Sequence, residues 1–166
     1  MNIPEHINGD DLLTGAPEPF QALACFYAAF NRRDYQQAAD NWHRDHALMS
    51  NPIGGMRRSW CEVHDGYQRI MTGPAVVYVE FYDYTWHLSD DMFYIAGRER
   101  GSMQIDGEKL PLHIRTSRIY RRIDGHWWQV HHHGSIDDAA LLARYQHAIM
   151  ASTTDHAALK TKTTRL

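Results

Sequence analysis

Polar and apolar positions alternate most regularly in the second half of the chain. Leu112 to Arg122 alternates, Asp124-Gly125 is the dipeptide that most favours a tight hairpin turn, and Trp127 to Gly134 alternates again. The spacing predicts two long strands folded back on each other. One face carries Leu112, Ile114, Thr116, Arg118 and Tyr120 with Trp128, Val130, His132 and Gly134. The other carries His113, Arg115, Ser117, Ile119 and Arg121 with Trp127, Gln129, His131 and His133. The first face is the apolar one and is expected to pack on the core. Arg118 and His132 stand out there, because a buried charge is costly unless it is paired.

Upstream, residues 1 to 17 read as a mobile arm. From Glu18 to Asn31 the spacing of Phe20, Leu23, Ala24, Tyr27 and Phe30 predicts an amphipathic helix. Asp34 can cap a second short helix to about His43, and Ala47 to Ser50 reads as a brief strand. A third helix is expected from about Trp60 to Met71, stopped by Gly73-Pro74. Val76 to Leu88 reads as a long aromatic strand with Tyr78, Glu80, Tyr82, Tyr84 and Trp86 on one face. Met92 to Met103 follows as a strand with Phe93, Ile95, Gly97, Glu99 and Gly101 on one face. Asp137 can cap a last helix to about residue 150, and residues 151 to 166 form a polar tail. Helices followed by a run of strands indicate an α+β domain over residues 18 to 136, with helices on one face of an antiparallel sheet.

The 166 residues, 43% of them hydrophobic, suit one domain with a sizeable core. A net charge of -3 gives no reason to expect nucleic acid or an anionic membrane as partner. Cys25 and Cys61, without zinc spacing, are expected to be reduced thiols of a cytoplasmic protein. The N-terminal residues lack the basic and apolar regions of a signal peptide. No apolar run approaches the length of a membrane span.

Three segments together resemble the nuclear transport factor 2-like superfamily. They are Thr116-Ser117-Arg118-Ile119-Tyr120, Arg121 to Gly125 with Trp127, and Val130-His131-His132-His133-Gly134-Ser135; Asn31 to Tyr35, Pro52 to Gly55 and Asp90 to Ala96 add support. Within it the chain is most similar to the association domain of calcium/calmodulin-dependent protein kinase II and to SnoaL-like proteins. The resemblance covers roughly residues 18 to 136 and implies a curved antiparallel sheet wrapped around the N-terminal helices, the cone of the cystatin-like fold. It also implies that the face bearing Arg118 and His132 lines the pocket. The association domain's pocket arginines fall on Glu99, Arg118 and Gly134, and its histidine on His64. Only Arg118 and His64 are retained, so a preference for small carboxylates does not carry over.

Glu99 lies on a face otherwise made of Phe93, Ile95 and glycines. Desolvation there raises a carboxyl's pKa unless a neighbour such as Arg118 lowers it. Such a group can shuttle a proton. The catalytic candidates are therefore Glu99, His132, Arg118 and His64, and the ligand-binding candidates are Tyr27, Trp42, Thr116, Tyr120 and Trp128. The competing expectation makes Glu99 and Arg118 a structural ion pair and His132 a hydrogen-bonded core histidine. Gly97 and Gly101 beside Glu99 either leave room above the sheet or mark bulges.

His131, His133 and His113 suggest a metal patch, but Arg98, Arg100 and Arg115 share that face and repel a cation, so neither a metal nor another cofactor is expected. Trp127 on the outer face suggests a homodimer. Together these features suit a small-molecule pocket protein, and an acid/base isomerase, dehydratase or cyclase on an apolar oxygenated substrate if it is catalytic. The alternatives are a non-catalytic assembly module like the association domain and the small subunit of a ring-hydroxylating oxygenase.

Overall fold

Helix α1 (Glu18–Asn31) lies against the inner face of the sheet and buries Phe20, Leu23, Ala24, Phe26 and Tyr27, the side its sequence spacing predicts. The computed structural model describes residues 3–10, 13 and 15–150. Pro19 fits the first turn of α1, where a missing N–H costs nothing. At the other end, Asn31 bonds the backbone of Val79 in both directions, its Nδ2 donating to the carbonyl at 2.9 Å and its Oδ1 accepting from the N–H at 2.9 Å. The helix is thereby pinned to the sheet.

Asp34 accepts from the Gln37 N–H and starts α2 (Tyr35–Asp40), which is shorter than its sequence suggests. Ser59 caps α3 (Trp60–Thr72) in the same way. Arg33 then joins α1 to the end of α3 by donating to the carbonyls of Met71, Gly73 and Ala75.

The strands are β1 (His6–Ile7), β2 (Leu48–Ser50), β3 (Met56–Arg57), β4 (Val76–Leu88), β5 (Met92–Ile105), β6 (Glu108–Ile123) and β7 (His126–Ile136). They form one open, curved sheet in the order β1-β4-β5-β6-β7-β2-β3, antiparallel throughout except where β2 runs parallel to β7. The central β4 to β7 meander follows the expected order. Sequence alternation did not reveal β1 or β3, each only two residues long. The expected N-terminal arm contributes β1, which lies along β4 and pairs Ile7 with Phe81.

Two bulges redirect the alternation. In β4, Tyr82 pairs with Arg98 and Thr85 with Ala96, so Asp83 and Tyr84 together oppose Gly97, with Asp83 at φ 48°. Beyond the bulge the faces swap. Tyr84 and Trp86, expected beside Tyr78 and Tyr82, turn inward onto Phe20, while Val79 and Phe81 hold the inner face before it. A Cβ on Gly97 would lie 2.6 Å from the Tyr84 Cβ, and one on Gly101 1.9 Å from the Tyr78 carbonyl oxygen. Of the two expectations for these glycines, a bulge is observed at Gly97, opposite Asp83 and Tyr84, while Gly101 lies in regular register and is closely approached by β4.

The second bulge is in β7. Ile119 pairs with His131 but Tyr120 with Gln129, which leaves Val130 as the extra residue. The backbone of Gln129 is held by the incoming chain, donating to the Asn41 carbonyl at 2.9 Å and accepting from the His43 N–H at 3.0 Å. Gln129 consequently points inward and is fully buried, whereas Trp128 and Val130 are only half-buried. This reverses the strict alternation over Trp128 to Val130.

Residues 139–150 form a final helix, α4. Asp138 rather than Asp137 caps it, accepting from the Leu141 N–H at 2.8 Å, while Asp137 pairs with Arg98 and Arg115. Leu141 and Tyr145 are buried, and Gln146 donates to the Ile53 carbonyl at 2.9 Å, so α4 packs on the domain. The polar tail lies outside the described residues. Among those described, no helix is long and apolar enough to cross a membrane.

Candidate functional site

Where α1 crosses β5, β6 and β7, the interior contains a connected set of polar side chains. Tyr27, from α1, donates to Glu99 Oε1 on β5 at 2.6 Å. Arg118, on β6, donates from Nη2 to the same oxygen at 3.1 Å, from Nε to the Tyr27 hydroxyl at 3.2 Å and from Nη1 to Gln129 Oε1 at 3.1 Å. Tyr120 donates to Gln129 Oε1 at 2.9 Å, and its hydroxyl also lies 3.2 Å from Asn41 Oδ1. All five of Glu99, Arg118, Tyr27, Tyr120 and Gln129 are buried. The Arg118 guanidinium also sits 4.0 Å from the centre of the Phe26 ring, a favourable place for a weakly hydrated cation.

The protonation states follow from this arrangement. Burial works against the charge on Arg118, but the oxygens of Tyr27 and Glu99 outweigh it and hold its pKa above the usual arginine value. Burial raises the pKa of the Tyr27 hydroxyl well above its usual value, with Arg118 opposing, and raises that of Tyr120 for the same reason. Tyr67 is pushed up to about 12 by burial, again with Arg118 opposing. Its hydroxyl accepts from Trp42 Nε1 at 3.2 Å, which places fully buried Trp42 beside the cluster.

His132 completes the inner face. It pairs with Arg118 across the β6/β7 ladder and is 5% exposed. Burial lowers its pKa well below the usual histidine value, with the Arg118 charge adding to the effect, so the ring is neutral at neutral pH. Neither ring nitrogen has a hydrogen-bond partner. The same holds for Thr116 Oγ1 and Gln129 Nε2, both on buried side chains. Thr116 pairs with Gly134 on β7 and Gly97 on β5. These unpartnered atoms thus come from neighbouring inner positions along the β6/β7 seam, next to the Glu99 and Arg118 pair.

Of the residues selected from sequence, Glu99, Arg118, His132, Tyr27, Trp42, Thr116 and Tyr120 are thereby brought to one interior. Two are not. His64 lies on the flank of α3, half-buried, with Trp60 at 5.1 Å, Tyr35 at 5.6 Å and Asp65 at 3.5 Å. Trp128 is carried off the inner face by the β7 bulge and packs on His43. Sequence reasoning overlooked Gln129, Tyr67 and Asn41. Gln129 is the instructive case, because strict alternation assigned it to the outer face.

Two cavities, of about 570 and 380 Å³, lie at the surface. The first is lined by the N-terminal segment with Tyr82, Tyr84, Trp86 and Arg100, and the second lies at the β4 bulge with Gly97, Arg98, Arg115, His133 and, from the candidate site, Thr116. Neither is lined by Glu99, Arg118 or His132. The outer-face histidines do not gather: His133 faces Ser117 and His131 faces Ile119, whereas His113 lies further along β6 opposite Arg100. Among the described residues no three His, Cys, Asp or Glu side chains form a metal-holding group.

The profile of the SnoaL-like domain matches residues 21–139, more than half of the chain and all of the site. The chain belongs to the SnoaL-like domain family, within the nuclear transport factor 2-like superfamily. Among solved structures it is similar to a candidate calcium/calmodulin-dependent protein kinase II association domain from Xanthomonas campestris, at 19% identity and a TM-score of 0.66, with 78% of this chain and 94% of that one covered. A candidate dehydratase of the NTF2-like family from Streptomyces avermitilis gives 19% identity, a TM-score of 0.64 and coverage of 74% and 95%. A ketosteroid isomerase-like protein from Erwinia carotovora atroseptica gives 16%, 0.62 and coverage of 73% and 95%. At these identities the likeness establishes the fold. No curated protein matches the chain.

Proposed function

We propose that this SnoaL-like domain binds a small, largely apolar, oxygenated molecule on the inner face of its sheet and acts on it by acid/base chemistry of the isomerase, dehydratase or cyclase type. The observation that carries this reading is the set of unpartnered polar atoms on Thr116, Gln129 and His132. Buried polar groups are almost always hydrogen-bonded, and leaving one unpaired costs on the order of 1–3 kcal/mol. A ligand that supplies the missing bonds recovers that cost. The apolar surroundings, with Phe93, Ile95 and Ile114 on the same face, suit a hydrocarbon frame.

On this reading the two groups have different roles. Glu99 is engaged by Tyr27 and Arg118, so it orients and balances charge. His132 is neutral and unengaged, and is the group placed to take a proton at one ring nitrogen and release one from the other. Trp42, Tyr27 and Tyr120 form the walls.

The outer sheet face supports a second reading, a homodimer or assembly module. Tyr78, Tyr94 and Met92 are exposed large side chains on that face of the long strands. Light scattering separates a dimer, which leaves the interior as the functional asset, from a larger ring, which favours assembly.

A thermal-shift screen of aromatic, steroid-like, polyketide-like and short carboxylic acid ligands tests the binding reading. A ligand at a hundred times its dissociation constant stabilises the fold by about 2.7 kcal/mol. Shifts for apolar oxygenated compounds that vanish in Thr116→Val and His132→Phe support it. No shift for any compound, with both variants simply more stable, contradicts it.

A further inference from the structure

The orientation of the Gln129 side chain narrows what the inner face accepts. Its Oε1 receives two hydrogen bonds, from Arg118 Nη1 at 3.1 Å and from the Tyr120 hydroxyl at 2.9 Å. Guanidinium has no acceptor, so the amide cannot be reversed without setting donor against donor. Nε2 is thereby fixed on the other side, with two hydrogens, no partner and no exposure to solvent. The orientation is secured twice more. The backbone of Gln129 is clamped between Asn41 and His43, and the Val130 bulge prevents the side chain from following the alternation outward. Gln129 Nε2 is thus a preset donor at a buried position, beside the charge of Arg118 and one inner position from the unpartnered ring of His132.

We infer that Gln129 is the donor that recognises a carbonyl oxygen, and that the ligand class is an uncharged ketone on an apolar frame. This rests on the inner face being a ligand site, as proposed above. An amide NH₂ requires an acceptor. A carboxylate would also supply one, but it would bring a second negative charge beside Glu99, and Arg118 already serves Glu99, Tyr27 and Gln129. An alcohol would have to turn its lone pairs to Nε2 and direct its own proton elsewhere. A carbonyl oxygen has two lone pairs and no proton, so it matches the Nε2 donor directly. A site built to bond such an atom discriminates against the analogue that lacks it, because its own donor is then left unpaired.

Three compounds sharing one frame test this: 1-indanone, 1-indanol and indane, titrated into the full chain by NMR with the glutamine side chains labelled with ¹⁵N. The expected result is that 1-indanone binds about tenfold or more tighter than indane, with 1-indanol between them. The Gln129 side-chain signals move with the ketone and stay in place with the hydrocarbon. Gln129→Glu keeps an acceptor for Arg118 and Tyr120 but removes the amide donor, and is expected to abolish the ketone's advantage over indane. The wild-type spectra carry the test if that variant does not fold. Equal binding of ketone and hydrocarbon, or binding without movement of the Gln129 signals, overturns the inference and leaves the ligand site standing. Failure of all three compounds to bind, with the Gln129 amide in contact only with a bound water, overturns both.

Discussion

Arg118 and His132 face each other across the β6/β7 ladder, both buried, one permanently charged and the other neutral with both ring nitrogens unpartnered. Arg118 is compensated by Glu99, Tyr27 and Gln129, whereas nothing in the fold compensates His132. The contrast divides the interior into a part that holds the structure together and a part whose polar atoms are left unpartnered.

The first prediction concerns the structural part. Removing one partner of a buried ion pair leaves the other charge uncompensated, so Arg118→Ala should destabilise the fold by about 3–5 kcal/mol. Glu99→Gln should cost less, because it leaves a neutral acceptor for Tyr27 and Arg118. In a double-mutant cycle by urea denaturation, Glu99→Gln with Arg118→Met should cost less than the sum of the single changes. Strict additivity would show that the pair is not energetically coupled.

His132 makes stability depend on pH in a defined direction. Its pKa is lowered in the folded state, so the unfolded chain binds more protons and stability rises with pH. The contribution is complete above the unfolded value of about 6.5. Below it, stability falls by about 1.4 kcal/mol per pH unit for this one group, down to the folded pKa. His132→Phe should flatten that part of the wild-type curve in denaturation between pH 5 and 7, conditions set by the same reference value. Equal slopes for the two proteins would mean that His132 titrates normally.

Gly97 should tolerate no side chain. A Cβ there meets Tyr84 at 2.6 Å across the β4 bulge, so Gly97→Ala is expected to cost about 1–3 kcal/mol of overpacking strain. Gly107 and Gly125 occupy turns with no atom nearby but with positive φ, so substitution there is opposed by backbone conformation alone. The clash is with the Tyr84 Cβ and the backbone carbonyls of Tyr82 and Asp83, which no side-chain truncation removes, so Gly97→Ala should melt below the wild type, and an equal melting temperature would contradict this.

The meander, its register face and the pairing of Arg118 with His132 on one side were legible because period-two alternation over β6 is unbroken and Asp124-Gly125 fixes the turn. The superfamily was legible in the same residues. Alternation could not show the bulges. Val130 and Asp83 look like ordinary strand residues, yet each shifts everything beyond it to the opposite face, which exchanges Trp128 for Gln129 and brings Tyr84 and Trp86 inward. The bulge in β7 comes with the backbone of Asn41 and His43, far away in sequence. His64 fell outside the cluster because it sits on the flank of α3, next to buried Val63 but turned toward Trp60 and Tyr35.

The outer face yields a prediction about association. If Tyr78, Tyr94 and Met92 are covered by a second copy, Tyr94→Glu should shift the mass seen by light scattering toward the monomer without changing the far-ultraviolet spectrum. An unchanged mass would place any interface elsewhere.

The most direct test of the inner-face site is the ¹⁵N spectrum of the His132 imidazole at neutral pH, recorded with and without a saturating apolar ketone. A neutral ring whose nitrogen shifts change on addition, in the wild type and not in Thr116→Val, is the predicted result. A ring that does not respond to any ligand while the fold stays intact would contradict the site and leave His132 as a core residue.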